Sequence, residues 1–122
     1  MRYWDVHNFR KLTVWSRSST FAQEVYALTA SVVRPDQRVV SAQLRRAALS
    51  VPANIAEGCG KASRGETIRY LEIACGSVSE SEHHLHMAAD LAILPSASCA
   101  SLAEEASQLR RMLRALIARL PA

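Results

Sequence analysis

The stretch Ser101-Leu102-Ala103-Glu104-Glu105-Ala106-Ser107-Gln108-Leu109-Arg110-Arg111-Met112-Leu113-Arg114-Ala115-Leu116-Ile117-Ala118-Arg119-Leu120 carries the plainest structural signal in the chain. Leu102, Ala106, Leu109, Leu113, Leu116 and Leu120 advance by steps of four and three without a miss. Those steps place all six on one face of an α-helix. Ser101 and Glu104 have capping-box spacing, a start one turn earlier near Ser98 suits the same pattern, and Pro121 ends it. The spacing predicts a helix over about 98–120, with a leucine face that other elements must cover.

Three further amphipathic segments precede it, joined by short connections. Ser63-Arg64-Gly65-Glu66 is a capping box opening a helix over about 64–94. Ile68, Leu71, Cys75, Val78, Leu85, Ala89 and Ala92 form its seam, Glu82 is the one charge on it, and Gly76 leaves a low spot for a backbone. Before it, Val40, Leu44, Ala47, Val51, Ile55 and Gly58 mark a helix over about 36–60. Pro52 interrupts that helix's hydrogen bonding, and the Gly58-Cys59-Gly60 run suits a left-handed C-cap. The first helix spans about 11–33, with Leu12, Trp15, Ala22, Val25, Leu28 and Val32 on its apolar side. Arg34-Pro35-Asp36 ends it and starts the next. Four such helices predict one all-α domain over 1–122, an antiparallel up-down-up-down four-helix bundle.

Composition agrees. A chain of 122 residues suits one domain, and 49% hydrophobic content suffices for a core. Four glycines and four prolines are too few for the turns of a β-sandwich. The net charge of +4 is carried by arginine, since Lys11 and Lys61 are the only lysines. Arginine's planar fork favours phosphate and carboxylate partners. Cys59, Cys75 and Cys99 are odd in number and lack CxxC spacing, so buried reduced thiols are expected. No signal peptide or membrane span is read, and the expected location is cytoplasmic.

Gln43-Leu44-Arg45-Arg46-Ala47-Ala48-Leu49-Ser50-Val51-Pro52-Ala53-Asn54-Ile55-Ala56-Glu57-Gly58 resembles the signature of the four-helix bundle proteins known as 23S rRNA intervening-sequence proteins. Phe9-Arg10-Lys11-Leu12-Thr13-Val14-Trp15 and Tyr70-Leu71-Glu72-Ile73-Ala74-Cys75-Gly76-Ser77-Val78-Ser79-Glu80 match it too, in family order. The resemblance implies a homopentameric ring without catalytic activity. It also implies kinship with the accessory variability determinant proteins of diversity-generating retroelements, which bind a reverse transcriptase and nucleic acid. Two departures stand out: Cys59 replaces a common aromatic residue, and Ala92-Ile93-Leu94 replaces a frequent Gly-Tyr-aliphatic ending.

Three sets of residues bear on function. Arg38, Arg45 and Arg46, with Arg110, Arg111 and Arg114, are the nucleic-acid-binding candidates, competing with a plain solvated face in which Glu104 and Glu105 neutralise part of the cluster. Pro52, Asn54, Glu57 and Gly58 are expected to act structurally or at a subunit interface. Asn54 would satisfy backbone groups freed by the proline, and Glu57 would pair with an arginine or Lys61. Tyr3 and Trp4 are expected to dock on a neighbouring copy. The Glu80, Glu82, His83, His84, His86 stretch has metal-like spacing, but a di-iron bundle needs a second such motif and two further glutamates. A metal-binding bundle using Glu80 and His83 is the remote alternative.

The expected function is a non-catalytic oligomeric scaffold that binds RNA or DNA through backbone charge and assists a partner enzyme such as a reverse transcriptase. The alternative is a protein-interaction oligomer with no nucleic-acid role. No cofactor, metal or membrane partner is expected.

Overall fold

In the computed structural model the helices are α1 (Tyr3–His7), α2 (Thr13–Thr29), α3 (Pro35–Cys59), α4 (Arg64–Asp90) and α5 (Ser96–Arg119), with a 3₁₀ turn at Phe9–Lys11 between the first two. The structure describes residues 1–122 except the side chain of Tyr3, so the role expected of that side chain lies outside the described residues. No strand occurs among the described residues. α3 packs on α4, α4 on α5, and α2 on both α3 and α5. The 3₁₀ turn rests on α2 and α3.

One core forms where the helices meet. All six residues of the leucine series, five in α5 and Leu120 at its C-cap, are buried, with Ala106, Leu109 and Leu113 fully so. Leu44, Val51 and Ile55 of α3 and Leu71, Val78 and Leu85 of α4 join them. Each such side chain contributes about 1.5–3 kcal/mol relative to exposure, which makes packing the main source of helix stability here. The buried hydroxyls bond to nearby backbone carbonyls: Ser18 to Trp15 at 2.9 Å, Thr29 to Val25 at 2.7 Å and Ser81 to Ser77 at 2.8 Å.

The helix ends differ from the sequence reading in several places. α2 stops at Thr29, short of Val33, because the β-branched Val32 and Val33 lead into an extended Arg34 ahead of Pro35. α5 begins at Ser96, with extended Pro95 as its N-cap, so Ser101 lies inside the helix and caps nothing. Ser63 does cap α4, accepting from the Glu66 N–H at 3.2 Å. Gly60 closes α3 in a right-handed conformation (φ −87°), not the left-handed one expected. The left-handed residue instead follows α4. Ala92 has φ 55°, Ile93 N–H bonds to Ala88 O at 2.9 Å, and Ala92 N–H bonds to Ala89 O at 3.0 Å. That is the Schellman arrangement, and Ala92 fills the position glycine usually takes.

Close approach between helices falls at Gly58 rather than Gly76. A Cβ added at Gly58 would lie 2.9 Å from Tyr70 Cβ and 3.2 Å from the Thr67 carbonyl oxygen. Thr67 Oγ1 donates to Gly58 O at 2.9 Å across the same contact. Gly76 is exposed and faces empty space.

Candidate nucleic-acid interface

The six candidate arginines do not form one free patch. Arg110 donates to Glu82 at 2.7 Å and Arg114 to Glu72 at 2.8 Å, each linking α5 to α4. The Glu72 hydrogen bond raises the Arg114 pKa above its ordinary value. Arg45 is half-buried: its Nε donates to Thr29 Oγ1 at 2.6 Å, and its guanidinium lies 4.3 Å from the Tyr26 ring centroid. It thus ties α3 to α2. Arg38, Arg46 and Arg111 are exposed and have no carboxylate partner among the described residues. Arg46 donates only to Gln43, at 2.8 Å, and Arg111 to Ser107, at 3.4 Å.

An arginine outside the candidate set organises the α2–α5 seam. Arg17 donates through Nε to Glu105 at 3.1 Å, pairs with Glu105 again through Nη2, and donates to Gln108 at 2.7 Å. The hydrogen bond to Glu105 raises its pKa above the ordinary value. Glu105 therefore serves this seam rather than the α5 arginines.

At the proline motif, α3 runs unbroken through Pro52. Asn54 Nδ2 donates to both the Ser50 carbonyl and Ser50 Oγ, each at 2.8 Å, and Ser50 Oγ meets Ser77 Oγ of α4 at 2.8 Å. Asn54 so satisfies backbone and bridges to α4, although the carbonyl it serves is not that of Ala48, the one the proline deprives. Glu57 is exposed and pairs with neither an arginine nor Lys61 among the described residues. Lys61 lies instead 5.0 Å from the Tyr70 ring centroid.

The histidine stretch separates into other contacts. Glu82 goes to Arg110, while Glu80 meets His84 at 3.3 Å rather than His83. No cluster of three metal-ligating side chains occurs among the described residues. Burial raises all three thiol pKa values, that of Cys59 to about 11. Trp4 is 57% exposed with Lys11 Nζ 5.0 Å from its ring centroid. No helix is long and apolar enough to cross a membrane.

What the sequence reading missed is one end of the bundle. His7 Nδ1 donates to Cys59 O at 2.6 Å, fastening α1 to the end of α3. Lys11 and Arg119 line one groove of about 290 Å³ with Met1 and Met112. Lys61 and Arg64 sit in and just after the α3–α4 link. Only the position of Arg10 and Lys11 beside the first helix, and of the others at helix ends, hinted at this grouping.

Known proteins resemble this chain in family and in fold. The family model described as 23S rRNA-intervening sequence protein matches residues 10–115. A solved structure of a protein of unknown function from the S23 ribosomal protein family of Bacteroides thetaiotaomicron is similar, with TM-score 0.80 and 25% identity. The similarity covers 86% of this chain and 98% of that one. No curated protein matches.

Proposed function

Because the chain belongs to the 23S rRNA-intervening sequence protein family, we propose that it is a non-catalytic, oligomeric scaffold whose basic surface binds nucleic acid. Its long helices form an antiparallel up-down-up-down bundle. Cross-helix contacts support that course: Ser50 meets Ser77 while Gly58 meets Thr67, so one number rises as the other falls. Copies associate into a homo-oligomer, five being the number the resemblance implies. Exposed Val39 and Leu49 on α3 and Ile73 and Met87 on α4 supply apolar surface for that association.

The observation that carries the nucleic-acid reading is the surplus of unpaired cations. Of fifteen lysines and arginines, six pair with carboxylates among the described residues, leaving nine that do not. Such side chains neutralise phosphates and release counterions without reading bases. Anisotropy of labelled structured RNA and single-stranded DNA across a salt series tests this, with oligomer mass from light scattering. Affinity is expected to fall linearly in log salt. Absence of binding at low salt discards the reading and leaves the protein-interaction oligomer, which the exposed apolar residues of α3 and α4 would also serve.

A further inference from the structure

The net charge is not spread evenly along the bundle. Dividing each long helix at its midpoint, residues 1–21, 48–77 and 108–122 hold eleven lysines and arginines against four aspartates and glutamates, a net +7. The remaining residues hold four against seven, a net −3. Contacts bring the basic segments to one end. His7 bonds to the last carbonyl of α3, Thr67 bonds to Gly58 across the α3–α4 link, and Lys11 shares a groove with Arg119. Arg10, Lys11, Lys61, Arg64 and Arg119 lie there without a carboxylate partner among the described residues. Arg110 and Arg114, by contrast, are neutralised along the flank.

The same end carries the most exposed aromatic ring among the described residues. Trp4 is 57% exposed, and Lys11 stands 5.0 Å from its ring centroid. Tyr70 holds two cations near its ring as well, Lys61 at 5.0 Å and Arg69 at 5.4 Å. Unpaired cations beside an open indole are the elements by which proteins hold single-stranded nucleic acid: charge follows the backbone, and aromatic faces take unpaired bases. A duplex offers phosphates to the same cations but keeps its bases stacked.

We propose that this bundle end binds single-stranded nucleic acid, with Lys11, Lys61, Arg64 and Arg119 neutralising phosphates and Trp4 stacking on a base. The assignment rests on the nucleic-acid reading above and moves its site from the α5 arginines to the end of the bundle. Arg10 adds to the local potential from the neighbouring 3₁₀ turn.

Two charge-matched triple variants locate the site, with a short labelled single strand and the matching duplex as probes. Lys11→Glu/Lys61→Glu/Arg119→Glu alters the end, and Arg38→Glu/Arg46→Glu/Arg111→Glu alters unpaired arginines elsewhere. Both change net charge by six, so only position distinguishes them. Circular dichroism and light scattering confirm fold and assembly. The end variant should lose about tenfold or more in single-strand affinity at low salt, and the other should lose clearly less. Trp4→Ala should weaken single-strand binding about fivefold or more and leave duplex binding unchanged. The reverse order of the triple variants, or a Trp4→Ala protein with undiminished single-strand affinity, overturns this site while nucleic-acid binding itself stands. A wild-type protein that binds neither probe removes the underlying reading instead.

Discussion

Replacing Ala92 with glycine should stabilise the protein, although alanine is the better helix former. Ala92 lies just past the last turn of α4 with φ 55°, where its Cβ crowds the backbone. That conformation costs a residue with a Cβ about 1–2 kcal/mol, and glycine escapes the cost. Glycine in turn gives the unfolded chain more freedom, which offsets about 0.4–1 kcal/mol. Ala92 is exposed, so no buried contact is lost with its methyl. The net gain is about 0.5–1 kcal/mol. For 122 residues, unfolding entropy converts each kcal/mol to about 4 °C, so Tm should rise by about 2–4 °C.

Thermal and urea denaturation, at one protein concentration because assembly shifts apparent stability, provide the assay. Ala100→Gly, at an exposed position inside α5, is the opposite control and should lower stability by up to about 1 kcal/mol. A Tm that stays level or falls in Ala92→Gly would refute the strain argument and with it the Schellman reading of the α4 end. The ending expected from the family resemblance places glycine at this position, and the left-handed φ of Ala92 is the conformation that glycine would adopt at no steric cost.

Gly58→Ala should lower stability by about 1–3 kcal/mol, seen as a reduced Tm, because its Cβ would meet Tyr70 Cβ at 2.9 Å; an unchanged Tm would mean that α3 and α4 part without cost. Burial holds the folded Cys59 pKa at about 11, above the ordinary 9.0, so its contribution is full below pH 9 and is lost as pH rises through about 11. Stability should therefore decline over that window, less so in Cys59→Ala, and native protein at neutral pH should resist iodoacetamide. Arg17→Ala should cost about 1 kcal/mol or less by urea denaturation, since the partly exposed pair with Glu105 is screened by solvent; a cost several times larger would show that Arg17 mainly organises packing against Met112.

The fold was most legible where one apolar stripe ran along a helix. The α5 leucines step cleanly, and each is buried. α2 was harder because its apolar residues lie on more than one side. Trp15, Leu28 and the N-capping Leu12 are only partly buried, while Phe21 and Ser18 join Ala22 and Val25 of the expected series, with Val14, in setting the inward face. The α1 segment left little trace, since five residues cannot sustain a helix by propensity. It is held by tertiary contacts such as His7 to Cys59, whose partner is 52 residues away.

The candidate site was legible in composition but not in location, for an electrostatic reason. An arginine run advertises charge only if its partners are also near in sequence. Glu82 lies 28 residues from Arg110, and Glu72 lies 42 from Arg114. Nothing local marked those arginines as neutralised, and the nearer Glu105 is taken by Arg17. Pairing along the flanks has a further consequence for assembly. Copies that associate side by side bring flanks together, and unpaired like charges there would oppose contact. With Arg17, Arg110 and Arg114 each matched within the chain, that opposition is reduced, while the bundle end keeps its unpaired cations. Were copies to associate with one shared orientation, Arg10, Lys11, Lys61, Arg64 and Arg119 of each would fall on one rim, and a strand of phosphates crossing it would meet several copies at once.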